Sequence, residues 1–547
     1  MTNKEIASAF DLLARIMELH GENPFKIRSY QNAYSTLKKL DTPLGSLSVD
    51  QLMEIKGIGE AIAEKIQSLL QTGKMPTLEK YKAKTPPGVV DMLNIQGLGP
   101  KKVATLWKEH DITSPGELLY ACNENRLIEY KGFGEKTQEN IKTSINFLQS
   151  NAGKYIHSLV RSHTSTMIDL LNKNVRDSKN EITGHLRRGE FIVHGSEILT
   201  TCSYIELQSA LEKEAIEWKS HHPKKVQAIW AEFLPVTFHI TNKNDFGLDQ
   251  IHFTGPELFA KKIEIKSTSH PSEEHILKEA VGHFISPELR DIEGVLTWSR
   301  TKLDALIEVK DIKGVIHTHS TYSDGIHSLS EMAVSAKEYG YEYLVITDHS
   351  QAAAYARGLK YDQLTEQWQE IDKLNQTHQY IPVLKGIECD ILTHGDLDYD
   401  PEILSKFDLI IASIHSAFQM DEDKATKRMV KAIENQYTNI IGHPSGRLIL
   451  SREGYPLDLH KITDACKANQ VAIELNCNPQ RMDIDYSFIK LCIDKGVLIA
   501  INPDAHNRSS IQDIPGGVIA ARKGMLPKEL CLNALSKDEL IKFCRKN

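Results

Sequence analysis

The sequence has no apolar run near the roughly 18 residues that a bilayer span needs. Its mean hydropathy is -0.34, so a membrane protein is not expected. Cysteine is scarce: eight residues in 547, with no C-x-x-C pair and no regular spacing, the pattern of a reduced intracellular protein. The opening stretch MTNKEIASAF lacks the apolar core of a secretory signal. Proline and glycine, at 20 and 32 residues, are too few for a collagenous or low-complexity chain, and a 41% hydrophobic share excludes disorder. Positive charge is not in excess either: 65 Lys and Arg face 73 Asp and Glu, a net charge of -8. That excludes a wholesale basic nucleic-acid protein, and any DNA binding must come from local phosphate contacts. The expectation is a soluble, multidomain, cytoplasmic protein of about three or four domains.

Three regions separate by pattern. Residues 1–150 balance 19 basic against 18 acidic residues and read as mostly helical, with amphipathic stretches such as Ile6–His20 and Ala61–Leu70. They contain an internal repeat: Ile55-Lys56-Gly57-Ile58-Gly59, Ile95-Gln96-Gly97-Leu98-Gly99 and Tyr130-Lys131-Gly132-Phe133-Gly134, each followed by a helical run. Two glycines permit a sharp turn, and the N–H groups opening the next helix can face a phosphate oxygen. Lys101, Lys102 and Lys136 stand where they add positive charge. Residues 151–312 mix helical and strand-like runs without a clear period.

Residues 313–547 hold 26 basic against 32 acidic residues and show the clearest pattern. Seven β-rich runs (GVIHTHS, YEYLVITDHS, YIPVLKGIECD, FDLIIASIHS, TNIIGHPSG, VAIELNCN and VLIAINPDAH) alternate with helical stretches. Such βα repetition predicts a parallel sheet that can close into a barrel, with chemistry at the carboxyl ends of the strands. Those ends carry His317 and His319, with Asp324 in the following turn, then His349, Glu388, His415 and His443, and finally the pair Asp504 and His506. The H-x-H spacing predicts both imidazoles on one side of a strand. Imidazole with carboxylate suits Zn, Mn or Fe. Nine ligands are too many for one ion, and a carboxylate such as Glu388 can bridge two.

The motifs HTHSTYSDG, TDHS, KGIE, SIHS, GHPSGR and PDAH resemble the polymerase-and-histidinol-phosphatase (PHP) domain, whose members are metal-dependent phosphoesterases. The resemblance implies a distorted (β/α)7 barrel and three divalent ions. One would be held by His317, His319, Glu388 and Asp504, a second by Glu388, His415 and His443, and a third by Asp324, His349 and His506. Arg447, in the GHPSGR turn, is a candidate for holding a phosphate. The Gly-apolar-Gly repeats resemble helix-hairpin-helix motifs, which implies DNA-backbone contacts from Gly57, Gly59, Gly97, Gly99, Gly132, Gly134, Lys101 and Lys102. NPFKIRSYQNAYSTL and GIGEAIAEKI resemble the lyase-type N-terminal domain of family X DNA polymerases. There Lys65 matches a Schiff-base lysine, and Ala61 stands where a second lysine is often found.

GHLRR (184–188) and HFTGP (252–256) resemble motifs of the family X nucleotidyl-transfer palm. That palm needs three carboxylates on adjacent strands to hold two Mg²⁺ ions. The matching positions are Gly195, Glu197 and Thr237, and His185 replaces a serine, so one carboxylate of three survives and Mg at the palm is not expected. Asp245 and Asp249 would substitute only with a shifted strand register. The thumb-like run from HFTGPELFAKKIEI to PELRDIEG is short.

The expected architecture is therefore a helical helix-hairpin-helix domain (1–150), a degenerate α+β palm and thumb-like region (151–312) and an α/β PHP barrel (313–547). The expected function is that of a bacterial family X polymerase homologue acting on gapped, nicked or 3′-ended DNA. It would work as a metal-dependent 3′–5′ exonuclease, with templated synthesis lost. The alternatives are an active polymerase with PHP proofreading, a histidinol-phosphatase-like phosphomonoesterase, and a non-catalytic DNA scaffold. Three phosphate-contacting hairpins argue against a small-metabolite phosphatase, and a complete ligand set argues against a scaffold.

Overall fold

The computed structural model describes residues 1–40, 42–123, 126–263, 272–377 and 379–545. They form two compact units, Met1–Ala152 and Gly153–Asn547. Among them no helix is long and apolar enough to cross a membrane.

The first unit is helical. Its opening helix, Asn3–Leu19, starts at a Thr2–Glu5 capping box and buries Ile6, Phe10, Leu13 and Met17 along one face. The three glycine turns share one geometry. Gly57, Gly97 and Gly132 have φ of +91°, +85° and +89°, a left-handed conformation that favours glycine. Gly59, Gly99 and Gly134 then lead directly into helices Glu60–Thr72, Pro100–His110 and Glu135–Ser150. The apolar residue between each pair, Ile58, Leu98 or Phe133, is buried in the common core and pins its turn.

The second unit opens with helix His157–Asn174. Strand β1 (Tyr155–Ile156) pairs with β3 (Ile192–Val193). A five-stranded sheet follows, built from β2 (Asn180–Ile182), β4 (Ser196–Thr200), β5 (Ile216–His222), β6 (Lys225–Trp230) and β7 (Leu234–Ile240), in the order β2-β4-β7-β6-β5. Only the β4–β7 pairing is parallel. Val226, Ala228 and Trp230 alternate inward from β6, the period of a half-buried strand. This α+β layer is the region in which the sequence showed no clear period. Part of the short thumb-like run, residues 264–271, lies outside the described residues.

All seven expected strands of the last third form. They are β8 (Gly314–Thr318), β9 (Tyr343–Ile346), β10 (Val383–Asp390), β11 (Leu409–Ser413), β12 (Ile440–Ile441), β13 (Ala472–Asn476) and β14 (Ile499–Asn502). Each lies parallel to its predecessor, in chain order. Beyond β14, the Ala505 N–H donates to the His317 carbonyl (3.1 Å) and the His319 N–H to the Ala505 carbonyl (2.8 Å), so the barrel is nearly closed. Every residue of β8, β9, β11, β13 and β14 is buried, as in sheets covered on both faces. The α+β layer and the barrel are joined by ion pairs. Lys523 Nζ lies 2.8 Å from Glu190 Oε1 and 3.2 Å from Asp291 Oδ2, and Arg522 pairs with Glu288 at 2.6 Å.

Candidate metal centre

The strand ends bring all nine expected ligands into overlapping groups whose donor atoms lie within 4.8 Å of one another. Glu388, at the end of β10, is the hub. Its Oε1 is 3.0 Å from His443 Nε2 and 3.2 Å from both His317 Nε2 and His415 Nε2, while Oε2 is 3.0 Å from His349 Nδ1. Asp504 Oδ1 lies 3.2 Å from His319 Nε2. Asp324 faces His506 Nε2 at 3.3 Å and His349 Nε2 at 3.6 Å. The resulting groups include Glu388 with His415 and His443, and Asp324 with His349, His506 and also His319.

Regular strand alternation is not what unites His317 and His319. His317 has φ +65°, where the β8–β9 register slips between Val315 and Thr318. His443 and Asp504 also lie in the left-handed region, at φ +26° and +50°. Strained ligands of this kind persist because their surroundings over-determine them.

Those surroundings include residues that sequence reasoning missed. Glu474, in the middle of β13, is fully buried. It accepts from His317 Nδ1 (2.5 Å), the His443 N–H (2.6 Å) and Asn502 Nδ2 (2.9 Å). Asp390 accepts from His415 Nδ1 at 2.7 Å. With Nδ1 tied down in this way, His317 and His415 turn Nε2 toward Glu388, the arrangement that fixes the tautomer of a ligating histidine. Asp348 builds the turn ahead of Asp324, accepting from Ser320 and Ser323 through both backbone and hydroxyl groups. The available signals were an acid inside the apolar run VAIELN and a second acid two residues after Glu388.

The electrostatics fit a cation site. Burial alone would raise the pKa of Glu388, but His415, His317 and His349 hold it well below the usual carboxylate range. Asp504 is likewise buried and Asp324 half-buried, and neighbouring histidines hold both low. Burial drives His349 down to about 3. His415 is pushed up to about 10, Glu388 and Asp390 overcoming the cost of burial. His317 Nε2, His319 Nδ1, His349 Nδ1, His443 Nδ1 and Glu388 Oε2 are buried without a hydrogen-bond partner. Buried polar atoms without partners are costly, and a divalent ion would satisfy such a donor set.

Arg447 is engaged elsewhere. It donates to Asp485 (2.9 Å), to the carbonyl of Arg481 (3.0 Å) and to that of Met482. It thus clamps the 481–485 turn, and a phosphate would have to displace those bonds. Lys65 Nζ donates to the Ala61 carbonyl at 2.9 Å and lies 5.9 Å from the Tyr30 ring. Burial lowers its pKa. Lys102 sits 5.6 Å from the Phe133 ring, joining the second hairpin to the third.

In the α+β layer, Glu197 on β4 stands opposite Thr237 on β7, in unshifted parallel register. Its carboxylate lies over Gly184, where an added Cβ would meet it at 2.1 Å, and it pairs with His239 at 3.1 Å. Arg187 pairs with Glu273 (2.6 Å), and Arg188 with Asp291 (3.1 Å) and His185 (3.0 Å). Asp249 accepts from Thr241 and Asp245 from Asn242. Among the described residues, no metal-sized group of His, Cys, Asp or Glu forms in this layer.

A barrel of seven parallel strands with imidazoles and carboxylates gathered at the strand ends defines a PHP-type, metal-dependent domain. The PHP domain family matches residues 316–478; a helix-hairpin-helix domain matches residues 1–75 and a SAM-like helix-hairpin-helix tandem residues 89–146. Over its whole length the chain is 34% identical to the DNA polymerase/3'-5' exonuclease PolX of Bacillus subtilis (strain 168), covering 100% of both proteins. The chain belongs to this PolX family of family X polymerase homologues. The chain is also 29% identical over 228 residues to a probable phosphatase of Thermoanaerobacter sp. (strain X514), covering 40% of this chain and 88% of that protein. A probable phosphatase of Caldanaerobacter subterraneus is 28% identical over 231 residues, covering 40% and 85%.

Proposed function

We propose that this protein is a metal-dependent 3′–5′ exonuclease acting on DNA through the barrel centre, with templated synthesis lost. The carrying observation is the contrast between two sites. Nine ligand-type side chains converge around Glu388, while the palm keeps one carboxylate, already paired with His239. Both palm arginines that could meet a triphosphate are held in internal ion pairs.

Three divalent ions, Mn, Zn or Fe, would be held by the groups built on Glu388, Asp504 and Asp324. Bound there, they would supply Lewis acidity and an activated water at phosphorus. The chain's own part is to orient the ligands through Glu474 and Asp390 and to place the strand ends around a phosphodiester. The helical unit supports the choice of DNA as substrate. At Gly59, Gly99 and Gly134 an added Cβ would meet no protein atom within 4 Å. Protein packing does not demand glycine there, and a bare N–H face suits a phosphate oxygen. Gapped, nicked or 3′-ended DNA is the substrate class, and the cytoplasm the compartment.

The test is a 5′-labelled primer on a template, incubated with Mn²⁺ with and without dNTPs, beside His319→Ala. Primer shortening that disappears in the variant is expected. Extension with dNTPs would overturn the loss of synthesis and restore the polymerase reading. No shortening by the wild type would overturn the nuclease reading in favour of a phosphomonoesterase or a scaffold.

A further inference from the structure

We infer that Tyr355 and Arg481 form a nucleotide clamp beside the metal centre: Tyr355 stacks on the terminal base, and Arg481 pairs with a non-bridging oxygen of the phosphate being cut. This rests on the nuclease reading above and narrows its substrate to a strand end with an unstacked terminal nucleotide.

Tyr355 is 69% exposed, the most exposed aromatic ring of its unit among the described residues. Yet it stands on a fixed turn. It lies in the single 3-10 turn Ala354–Ala356, between buried Ala353 and buried Ala356. The Ser350 N–H donates to the Glu388 carbonyl (3.0 Å), and the Leu359 N–H to the His349 carbonyl (2.9 Å). The Ala352 N–H donates to the Asp398 carboxylate (2.7 Å). The neck of the loop is so tight that a Cβ at Gly358 would sit 1.8 Å from the Ser350 carbonyl oxygen. A large ring left in water on a rigid loop contributes little to folding. Its centroid is 6.0 Å from that of His349 and 6.2 Å from that of His415, so it borders the centre directly. Base–aromatic stacking tolerates any base, because every base has a π-face.

Arg481 approaches from the loop after β13. Its Nε lies 3.5 Å from Asp504 Oδ2, and its side chain is 20% exposed. Arg447 holds the Arg481 carbonyl and so fixes where that side chain starts. A planar guanidinium next to a cation-binding carboxylate is suited to phosphate oxygens. A small phosphomonoester would use the arginine and the metals but offer no base to Tyr355.

The experiment compares the full-length protein with Tyr355→Ala, Tyr355→Phe, Arg481→Ala and Arg481→Lys, with Mn²⁺ on two strands. One ends in an ordinary 3′ nucleotide; the other ends in a tetrahydrofuran abasic analogue that keeps the phosphate and lacks the base. Tyr355→Ala should raise KM roughly tenfold on the ordinary end, the scale of one lost base stack. It should change neither KM nor kcat on the abasic end, and Tyr355→Phe should restore the wild-type value. Arg481→Ala should lower kcat on both ends, with partial rescue by Arg481→Lys and unchanged metal content. A Tyr355→Ala loss that is equal on both ends, or absent on both, overturns the clamp while leaving the nuclease reading intact. If the wild type shortens neither strand, the nuclease reading falls, and the clamp with it.

Discussion

Glu474→Gln is the sharpest probe of how this centre is held. The carboxylate accepts four bonds while fully buried: Oε1 takes His317 Nδ1 at 2.5 Å and Asn502 Nδ2 at 2.9 Å, and Oε2 takes the His443 N–H at 2.6 Å and Asn476 Nδ2 at 3.4 Å. An amide of the same shape has one accepting oxygen. Its best orientation keeps that oxygen toward His317 and Asn502, which turns an NH₂ group against the His443 N–H. A buried donor left unpaired costs about 1–3 kcal/mol, and weakening one charge-assisted bond adds about 1 kcal/mol. The total is about 3 kcal/mol, which for the roughly 400 residues of this unit lowers Tm by about 4 °C. Because His317 and His443 both present Nε2 to Glu388, loosening them should also weaken divalent-ion affinity by roughly 10–100-fold. The assay is Mn²⁺ titration followed by calorimetry and thermal melting, on metal-stripped protein and then on reloaded protein. Wild-type Mn²⁺ affinity in Glu474→Gln would refute the argument that the ligands depend on this carboxylate. A Tm loss without an affinity loss would confine Glu474 to stability.

Other outcomes follow from particular contacts. Asp390→Ala should weaken metal binding in the same direction, since His415 loses the acceptor that orients Nδ1; the Mn²⁺ titration checks it. Gly59→Ala and Gly99→Ala should change the melting temperature of the helical unit little, because an added Cβ meets no protein atom within 4 Å at either position, while lowering DNA affinity in a low-salt anisotropy titration. Gly57→Val and Gly97→Val, at φ +91° and +85°, should destabilise the unit by about 1–2 kcal/mol in urea melts. Glu273 is buried between Arg187 and Arg290, which hold its pKa below the ordinary value against the cost of burial. Its depressed folded-state pKa makes its stabilisation complete above the unfolded value near 4.5 and lost as pH falls through the folded value. Glu273→Gln should therefore melt lower than wild type at pH 7, by a few kcal/mol, with the gap closing in acid.

Two kinds of information separate in this chain. Spacing along the chain is local, and what depends on it was legible in the sequence. The Gly-apolar-Gly repeats require left-handed turns whatever surrounds them, and Gly57, Gly97 and Gly132 adopt them. Apolar runs ending in His, Asp or Glu mark strands whose carboxyl ends share one face of a parallel barrel. That geometry follows from the βα alternation, so the nine ligand-type side chains that the structure gathers could be named before their distances were known. The unshifted register of Glu197 against Thr237 likewise agrees with counting from the double arginine.

The remainder depended on contacts between distant residues. His317 and Glu474 are 157 residues apart, and no periodicity links an imidazole to a carboxylate at that separation. Arg447 was legible as an arginine in a turn beside the site; only the fold brings Asp485 and the Arg481 and Met482 carbonyls around its guanidinium. Arg187 and Arg188 meet Glu273 and Asp291 in the same way, across 86 and 103 residues. The sequence by itself determined which ligand-type side chains stand at which strand ends, because that is a consequence of chain periodicity. Only the tertiary structure decided which of them point inward, which are tied to buried partners, and which remain free to meet a substrate. A side chain's partners are set by how the whole barrel closes.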